Sequence, residues 1–219
     1  MKKTGLTALA LCVGSILLSG CAPLLIGGAV GTTAAVSVDR RTTGAQMSDE
    51  VMEKRINFEI NDRIKTGLHL TVTCYNRSVL LTGEVASVKD RALAQAIAQN
   101  SLEVERVYNE LAVQAPTSVG QRLSDTMLAN KVRAQLISTE GVSINQMKVV
   151  VDRDIVYLMG LVSLPEVKVA TNVASRVSGV KAVVNVFEVL NENQINERTK
   201  FLHQAENKNK QNNQSVYIN

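Results

Sequence analysis

Apolar positions change period in a fixed order along this chain. Helical spacing governs Val51, Met52, Ile56 and Ile60; strict alternation then governs Leu70, Val72 and Cys74, and again Val79, Leu81 and Val85. Helical spacing returns over 87–99, where Ala92, Ala94, Ala96 and Ala98 permit close packing, and a last apolar run includes Val104, Val107, Leu111 and Val113. The order predicts helix, two strands, helix, strand.

The whole series then repeats. Val51, Met52, Ile56 and Ile60 recur as Met127, Leu128, Val132 and Leu136, an offset of 76 residues. After a variable loop the register slips by one, so that Val72, Val79, Leu81, Gly83 and Val85 meet Val149, Val156, Leu158, Gly160 and Val162. The offset of 76 returns where Val104, Val107, Asn109, Leu111 and Val113 meet Val180, Val183, Asn185, Phe187 and Val189. Self-similarity of this kind sets architecture more firmly than local propensity does.

Each copy therefore reads αββαβ. Ser48-Asp49 and Ser124-Asp125 are expected to cap the opening helices. Strands are expected over 68–75 and 78–83, joined at Asn76-Arg77, and over 147–151 and 155–160. The second copy's later helix spans 164–178, with Pro165 in its first turn and Gly179 as its stop. A strand returning through a helical crossover lies parallel to a hairpin strand, giving a small mixed three-stranded sheet. Two helices cover one face of it. Copies this short bury only about 60% of their unfolded surface, so the two are expected to pack together. The fold class is α+β, with modules at 48–115 and 123–190.

The start of the chain carries a different signal. Lys2 and Lys3, an apolar run over 6–18, and Leu18-Ser19-Gly20-Cys21 resemble a bacterial lipoprotein signal, which makes 1–20 a cleaved leader and Cys21 the lipidated residue. Cys12 follows bulky Leu11 and does not fit. An uncleaved spanning helix is the alternative, but Ser19-Gly20, Pro23, Gly27-Gly28 and Gly31-Thr32-Thr33 break the run below the roughly 20 apolar residues a span requires. Two or more acyl chains give stable anchoring where one gives marginal binding. In the Gram-negative pattern that this resembles, Ala22 favours the outer membrane. Residues 21–47 read as a flexible linker.

Loss of Lys2 and Lys3 lowers the formal charge of +4 by two, so charge alone selects no partner and no nucleic acid is expected. With Cys12 removed and Cys21 acylated, Cys74 is the remaining thiol and no internal disulfide can form. Its alternation with Leu70 and Val72 places it in a core.

Two αββαβ modules, each with a related pentapeptide (Leu81-Thr82-Gly83-Glu84-Val85 and Leu158-Met159-Gly160-Leu161-Val162) and preceded by a lipobox, resemble the dual BON-domain outer-membrane lipoproteins. The likeness covers residues 1–190. Its most specific stretch is Ala174-Ser175-Arg176-Val177-Ser178-Gly179-Val180-Lys181; Gly83, Gly160 and Gly179 are its structural glycines. Glu103 stands where the first copy would match Gly179, which suggests a different helix exit there. The resemblance implies phospholipid binding and support of outer-membrane integrity, with no cofactor beyond the lipid on Cys21.

Catalysis finds no support in the residues. A hydrolase needs nucleophile, base and orienting group together, whereas His69 reads as an exposed residue at a strand start and His203 lies in a polar tail. No Cys/His/Asp set has metal-ligand spacing, and Gly27-Gly28 with Gly31 lacks the strand and Lys-Ser or Lys-Thr of a phosphate loop.

The two opening helices differ in a more telling way. Residues 49–64 hold five acids and three bases, while 125–138 hold Asp125 against Lys131 and Arg133. Glu53 becomes Ala129 and Asn61 becomes Ile137. With Leu128, Val132 and Leu136 expected to face the sheet, Met127, Lys131, Ala134 and Ile137 remain for a surface. The candidate phospholipid-binding set is Met127, Leu128, Lys131, Arg133, Ala134 and Ile137, reading anionic lipid such as phosphatidylglycerol. Basic groups near such a surface contribute about 1 kcal/mol each; the lack of an aromatic anchor weakens the helix as a membrane binder. The competing function is a lipid-anchored scaffold for an envelope protein or assembly machine. After Leu190 the composition turns to Asn, Gln and Lys, and 191–219 is expected to be largely disordered beyond a helix over 192–205.

Overall fold

A computed structural model describes residues 39–65 and 69–216. The leader, Cys21, the linker as far as residue 38, and Leu68, the expected start of the first strand, lie outside the described residues.

The first module runs α1 (Thr43–Arg63), β1 (His69–Tyr75), β2 (Ser78–Val85), α2 (Val88–Gln99), β3 (Arg106–Asn109) and β4 (Ala112–Val113). The second runs α3 (Val119–Ile137), a 3₁₀ turn (Ile144–Gln146), β5 (Met147–Asp152), β6 (Ile155–Val162), α4 (Leu164–Ser175) and β7 (Ala182–Val189). In each, the hairpin is antiparallel and the returning strand pairs parallel with its second strand, Ser78 opposite Arg106 and Ile155 opposite Ala182. The first module's last strand is interrupted between β3 and β4, both of which pair with β2. Asn109 marks the break, accepting the Leu111 N–H at 3.3 Å and donating to the Arg91 carbonyl at 3.1 Å.

The opening helices begin earlier than their Ser-Asp pairs suggest. Thr42 caps α1 by accepting from the Ala45 N–H at 3.0 Å, and Ser118 caps α3 by accepting from Gln121 at 3.2 Å. Ser48 and Ser124 are helix-interior, and the aspartates beside them are buried because they serve the hairpins. Asp49 accepts the N–H groups of Asn76 (2.7 Å) and Arg77 (3.0 Å); Asp125 accepts those of Arg153 (3.0 Å) and Asp154 (2.9 Å).

One face of each sheet meets its own helices. Met52, Ile56 and Ile60 pack on Val72, Cys74, Val79 and Leu81, with Ala94 and Ala98 closing the layer. Val132 and Leu136 repeat this against Val149, Val156 and Leu158. The opposite faces meet each other: Tyr75 and Leu80 join Tyr157, Met159, Leu161, Val186 and Leu190 in one cluster. The layers therefore run helices, sheet, sheet, helices, and each such buried side chain contributes roughly 1.5–3 kcal/mol. Tyr75 Oη crosses the interface to the Gln146 carbonyl at 2.9 Å.

Two of the structural glycines answer to space. A Cβ on Gly83 would overlap the His69 carbonyl, and one on Gly160 the Gln146 carbonyl, as β2 and β6 cross their partners closely. Gly179 has φ +103°, and Glu103 adopts the same left-handed region at φ 70°, so both modules leave the helix alike despite the sequence difference.

Arg40 donates to the Leu161 carbonyl and to Glu166, both at 2.8 Å; Arg41 pairs with Asp49 at 2.8 Å and stacks on Tyr75. The linker's end is thus pinned by buried charge pairs. After Leu190 a helix, α5 (Glu192–Val216), extends past the expected 192–205. Asn191 and Gln194 exchange backbone-to-side-chain hydrogen bonds of 2.9 Å that start the helix, and Ile195 packs against the inter-module cluster.

Candidate functional site

α3 presents three faces. Val132 and Leu136 point into the second core, and Leu128 joins this buried side at 5% exposure, with Gly179 close to its methyl groups. Leu128 is therefore a packing residue and leaves the lipid-binding set. Outward, Leu123 (61% exposed), Met127 (59%) and Ile137 (67%) lie with Ala134 and Lys131 along one stripe.

Arg133 belongs to the third face. Its guanidinium donates to the Val149 carbonyl at 2.6 Å and to Asn130 Oδ1 at 3.1 Å, which folds it against the edge of β5. Arg133 lies two positions after Lys131, a rotation of about 200° on a helix, so the two cations cannot read one phosphate. Lys131 instead lines a groove of about 440 Å³ with Arg176, Val173 and Val177, between α3 and the end of α4. Neither cation has an ion-pair partner among the described residues. Arg176 and Leu123 were missing from the sequence-based set. Leu123 sits four positions before Met127 and was visible to helical spacing, whereas Arg176 reaches the groove only through the packing of α4 on α3.

His69 is not an exposed strand-start residue. Its Nδ1 stands 2.9 Å from Oε2 of fully buried Glu84, which also accepts from the Thr117 N–H at 3.1 Å. His69, Glu84 and Asp152 each bring a ligand atom within 4.8 Å of one another. A cation is already supplied there by the chain itself, since Arg153 Nε lies 2.9 Å from Asp152 and 3.5 Å from Glu84. The cluster reads as a charge lock between modules. Cys74 is fully buried, and burial first, then Glu53, pushes its thiol up to about 12, which removes it as a nucleophile.

The BON domain family model matches residues 48–115 and 124–191, one match in each module. This chain belongs to the BON-domain family. It is 34% identical to Outer membrane lipoprotein DolP of Haemophilus influenzae over 193 residues, 87% of this chain and 100% of that protein. A 21 kDa hemolysin of Actinobacillus pleuropneumoniae is 29% identical over 68% of this chain and 78% of that protein. Among solved structures, CdsD, a structural protein of the Chlamydia trachomatis type III secretion system, matches 69% of this chain and 96% of its own with 10% identity and TM-score 0.29. Among the described residues, no helix is long and apolar enough to cross a membrane.

Proposed function

We propose that this protein is a non-enzymatic outer-membrane lipoprotein, held by acyl chains on Cys21 and facing the periplasm, whose second BON module docks on anionic phospholipid such as phosphatidylglycerol and thereby supports outer-membrane integrity. The name of the Haemophilus influenzae relative supports the location. The observation that carries the lipid reading is the exposed stripe Leu123, Met127 and Ile137 beside two cations, Lys131 and Arg176, that have no ion-pair partner among the described residues. Apolar side chains entering the headgroup layer contribute by burial, and each cation adds about 1 kcal/mol against anionic lipid. Zwitterionic lipid offers only the first term.

Vesicle flotation of the chain carrying Cys21→Ser tests this. Wild-type stripe residues bind phosphatidylglycerol vesicles and not zwitterionic ones; Met127→Glu with Ile137→Glu abolishes binding, and Lys131→Glu with Arg176→Glu weakens it. Equal flotation of all forms would sink the reading.

One observation favours the scaffold reading as a second activity. Met47 (64% exposed), Val51 (60%) and Phe58 (76%) share the outward side of α1. Loss of an envelope-protein partner in Phe58→Glu, with vesicle binding intact, would assign that face.

A further inference from the structure

The two modules are related by repeat, so the two clefts where each opening helix meets the other module's sheet should be alike. They are not. In one, Lys148 of β5 reaches the first module, donating to the Cys74 carbonyl at 3.0 Å and pairing with Glu53 of α1 at 3.4 Å. The repeat places Thr71 where Lys148 stands and Ala129 where Glu53 stands. Both replacements are short, and a cavity of about 320 Å³ opens in that second cleft, at the small end of the roughly 300–1,000 Å³ of ligand sites.

The walls of this cavity have changed in a concerted way. Along the flank of α1 stand Gln46, Glu50, Glu53 and Asn57; at the matching places on α3 stand Arg122, Thr126, Ala129 and Arg133. Positions spaced by four, three and four share one helix face. On the face that lines the cavity, Glu50 and Glu53 have thus given way to Thr126 and Ala129, and Gln46 and Asn57 to Arg122 and Arg133. Arg133 is pre-positioned by its bonds to Val149 and Asn130, while the Arg122 guanidinium has no partner among the described residues.

Opposite them lies the threonine face of the first sheet. Thr71 and Thr82 are cross-strand partners, and Thr73 follows on the same side of β1. Thr73 (7% exposed) and Thr82 (2%) are buried, line the cavity, and have hydroxyls without a hydrogen-bond partner among the described residues. Neither hydroxyl is sealed from solvent, so both are available to whatever enters the cavity. The carboxylates nearby are already engaged: Asp125 by the Arg153 and Asp154 N–H groups, Asp152 by Arg153, and Glu84 by His69. The unpaired donors lining the cavity are the Arg122 guanidinium and the threonine hydroxyls, while Oε1 of Glu84, which accepts no hydrogen bond among the described residues, faces the Arg153 charge at 3.5 Å.

We infer that this inter-module cavity is a binding site for a phosphorylated polyol, with Arg122 and Arg133 on the phosphoryl oxygens and Thr73 and Thr82 on the same anion or its hydroxyls. Guanidinium groups match phosphate in geometry and charge. The site is separate from the outward stripe of α3 and does not depend on it.

The test uses the full chain in zwitterionic detergent, followed by amide NMR. Inorganic phosphate and glycerol 1-phosphate are titrated to about 10 mM, ten times a 1 mM Kd, with phosphatidylglycerol added in a parallel series. Saturable shifts at Thr71, Thr73 and Thr82 with glycerol phosphate support the site and a soluble ligand. Shifts there with phosphatidylglycerol alone support the site and assign the phosphoryl group to a lipid headgroup. Arg122→Gln should weaken binding about tenfold. The pair Thr71→Lys with Ala129→Glu, which copies Lys148 and Glu53, should abolish it while leaving amide dispersion unchanged; Met127→Glu should leave it intact. No saturable shift with any of the three probes, or equal binding by wild type and both cavity variants, overturns the inference.

Discussion

Asp49 and Asn76, 27 residues apart, are joined by a 2.7 Å hydrogen bond from the turn N–H to the helix carboxylate. The bond holds a hairpin whose two central residues, Asn76 and Arg77, have φ 47° and 63°. Asp125 repeats it on Arg153 and Asp154, at φ 51° and 63°. None of these four is glycine, so each turn adopts a left-handed backbone without the residue that tolerates it best. The carboxylate stabilises the turn and ties helix to sheet in one contact. Asp49→Ala and Asp125→Ala would each leave two turn N–H groups without their acceptor, and each is expected to lower unfolding free energy by about 2–4 kcal/mol in urea titrations. Asp125→Asn, which keeps one oxygen acceptor, should cost less.

The repeated Ser-Asp pair was legible as a repeat and illegible as a role. Sequence proximity suggested a helix cap, because capping is a local interaction; the true partner lies across the hairpin and has no local signature. The same division runs through the molecule. Periodicity located both cores, the αββαβ order and the parallel return strand, since these follow from which face of each element is apolar. The small size of each copy implied that the two pack together, but not that they do so through their uncovered sheet faces. Helical phase already places Lys131 and Arg133 on different sides of α3, but periodicity could not show that Arg176, from another helix, shares the Lys131 groove. His69 looked partnerless because Glu84 lies on the neighbouring strand.

Glu103 occupies a left-handed position at φ 70° that the second module gives to Gly179. For an L-residue with a side chain this conformation costs roughly 1–2 kcal/mol. Glu103 is exposed and its side chain makes no hydrogen bond among the described residues, so nothing offsets that cost. Glu103→Gly is expected to stabilise the protein by about 0.5–1 kcal/mol, less than the full strain because glycine also loosens the unfolded chain. A rise in the midpoint of thermal unfolding checks it; a fall would mean that the carboxylate stabilises the α2 exit.

Cys74 offers a probe of opening. Its thiol is fully buried against Ile56 and Val72, and burial together with Glu53 raises its titration to about 12. Thiolate is the reactive form, so at pH 8 the native protein should react with a thiol-specific disulfide reagent far more slowly than the urea-unfolded chain does. The native rate, measured against urea concentration, should track unfolding of the first module. Rapid labelling in native buffer would contradict the packing of β1 on α1.

Arg40 and Glu166 tie the end of the linker to the start of α4, with an N–O distance of 2.8 Å and both side chains largely buried. Burial alone would raise the Glu166 pKa, but the hydrogen bonds from Arg40 and from the Ser163 N–H outweigh it, leaving the group below its ordinary 4.5. A carboxylate depressed by folding contributes stability that is fully present above its unfolded value and disappears as pH falls through the folded one. The protein should therefore lose part of its unfolding free energy below about pH 4.5, a limb that Glu166→Gln flattens. Arg40→Ala leaves only the Ser163 hydrogen bonds to oppose the burial. It is expected to remove about 1.5–3 kcal/mol at neutral pH and to move acid unfolding to higher pH, read by circular dichroism across a pH series. An unchanged acid midpoint in Arg40→Ala would show that the Ser163 N–H alone holds the carboxylate ionised.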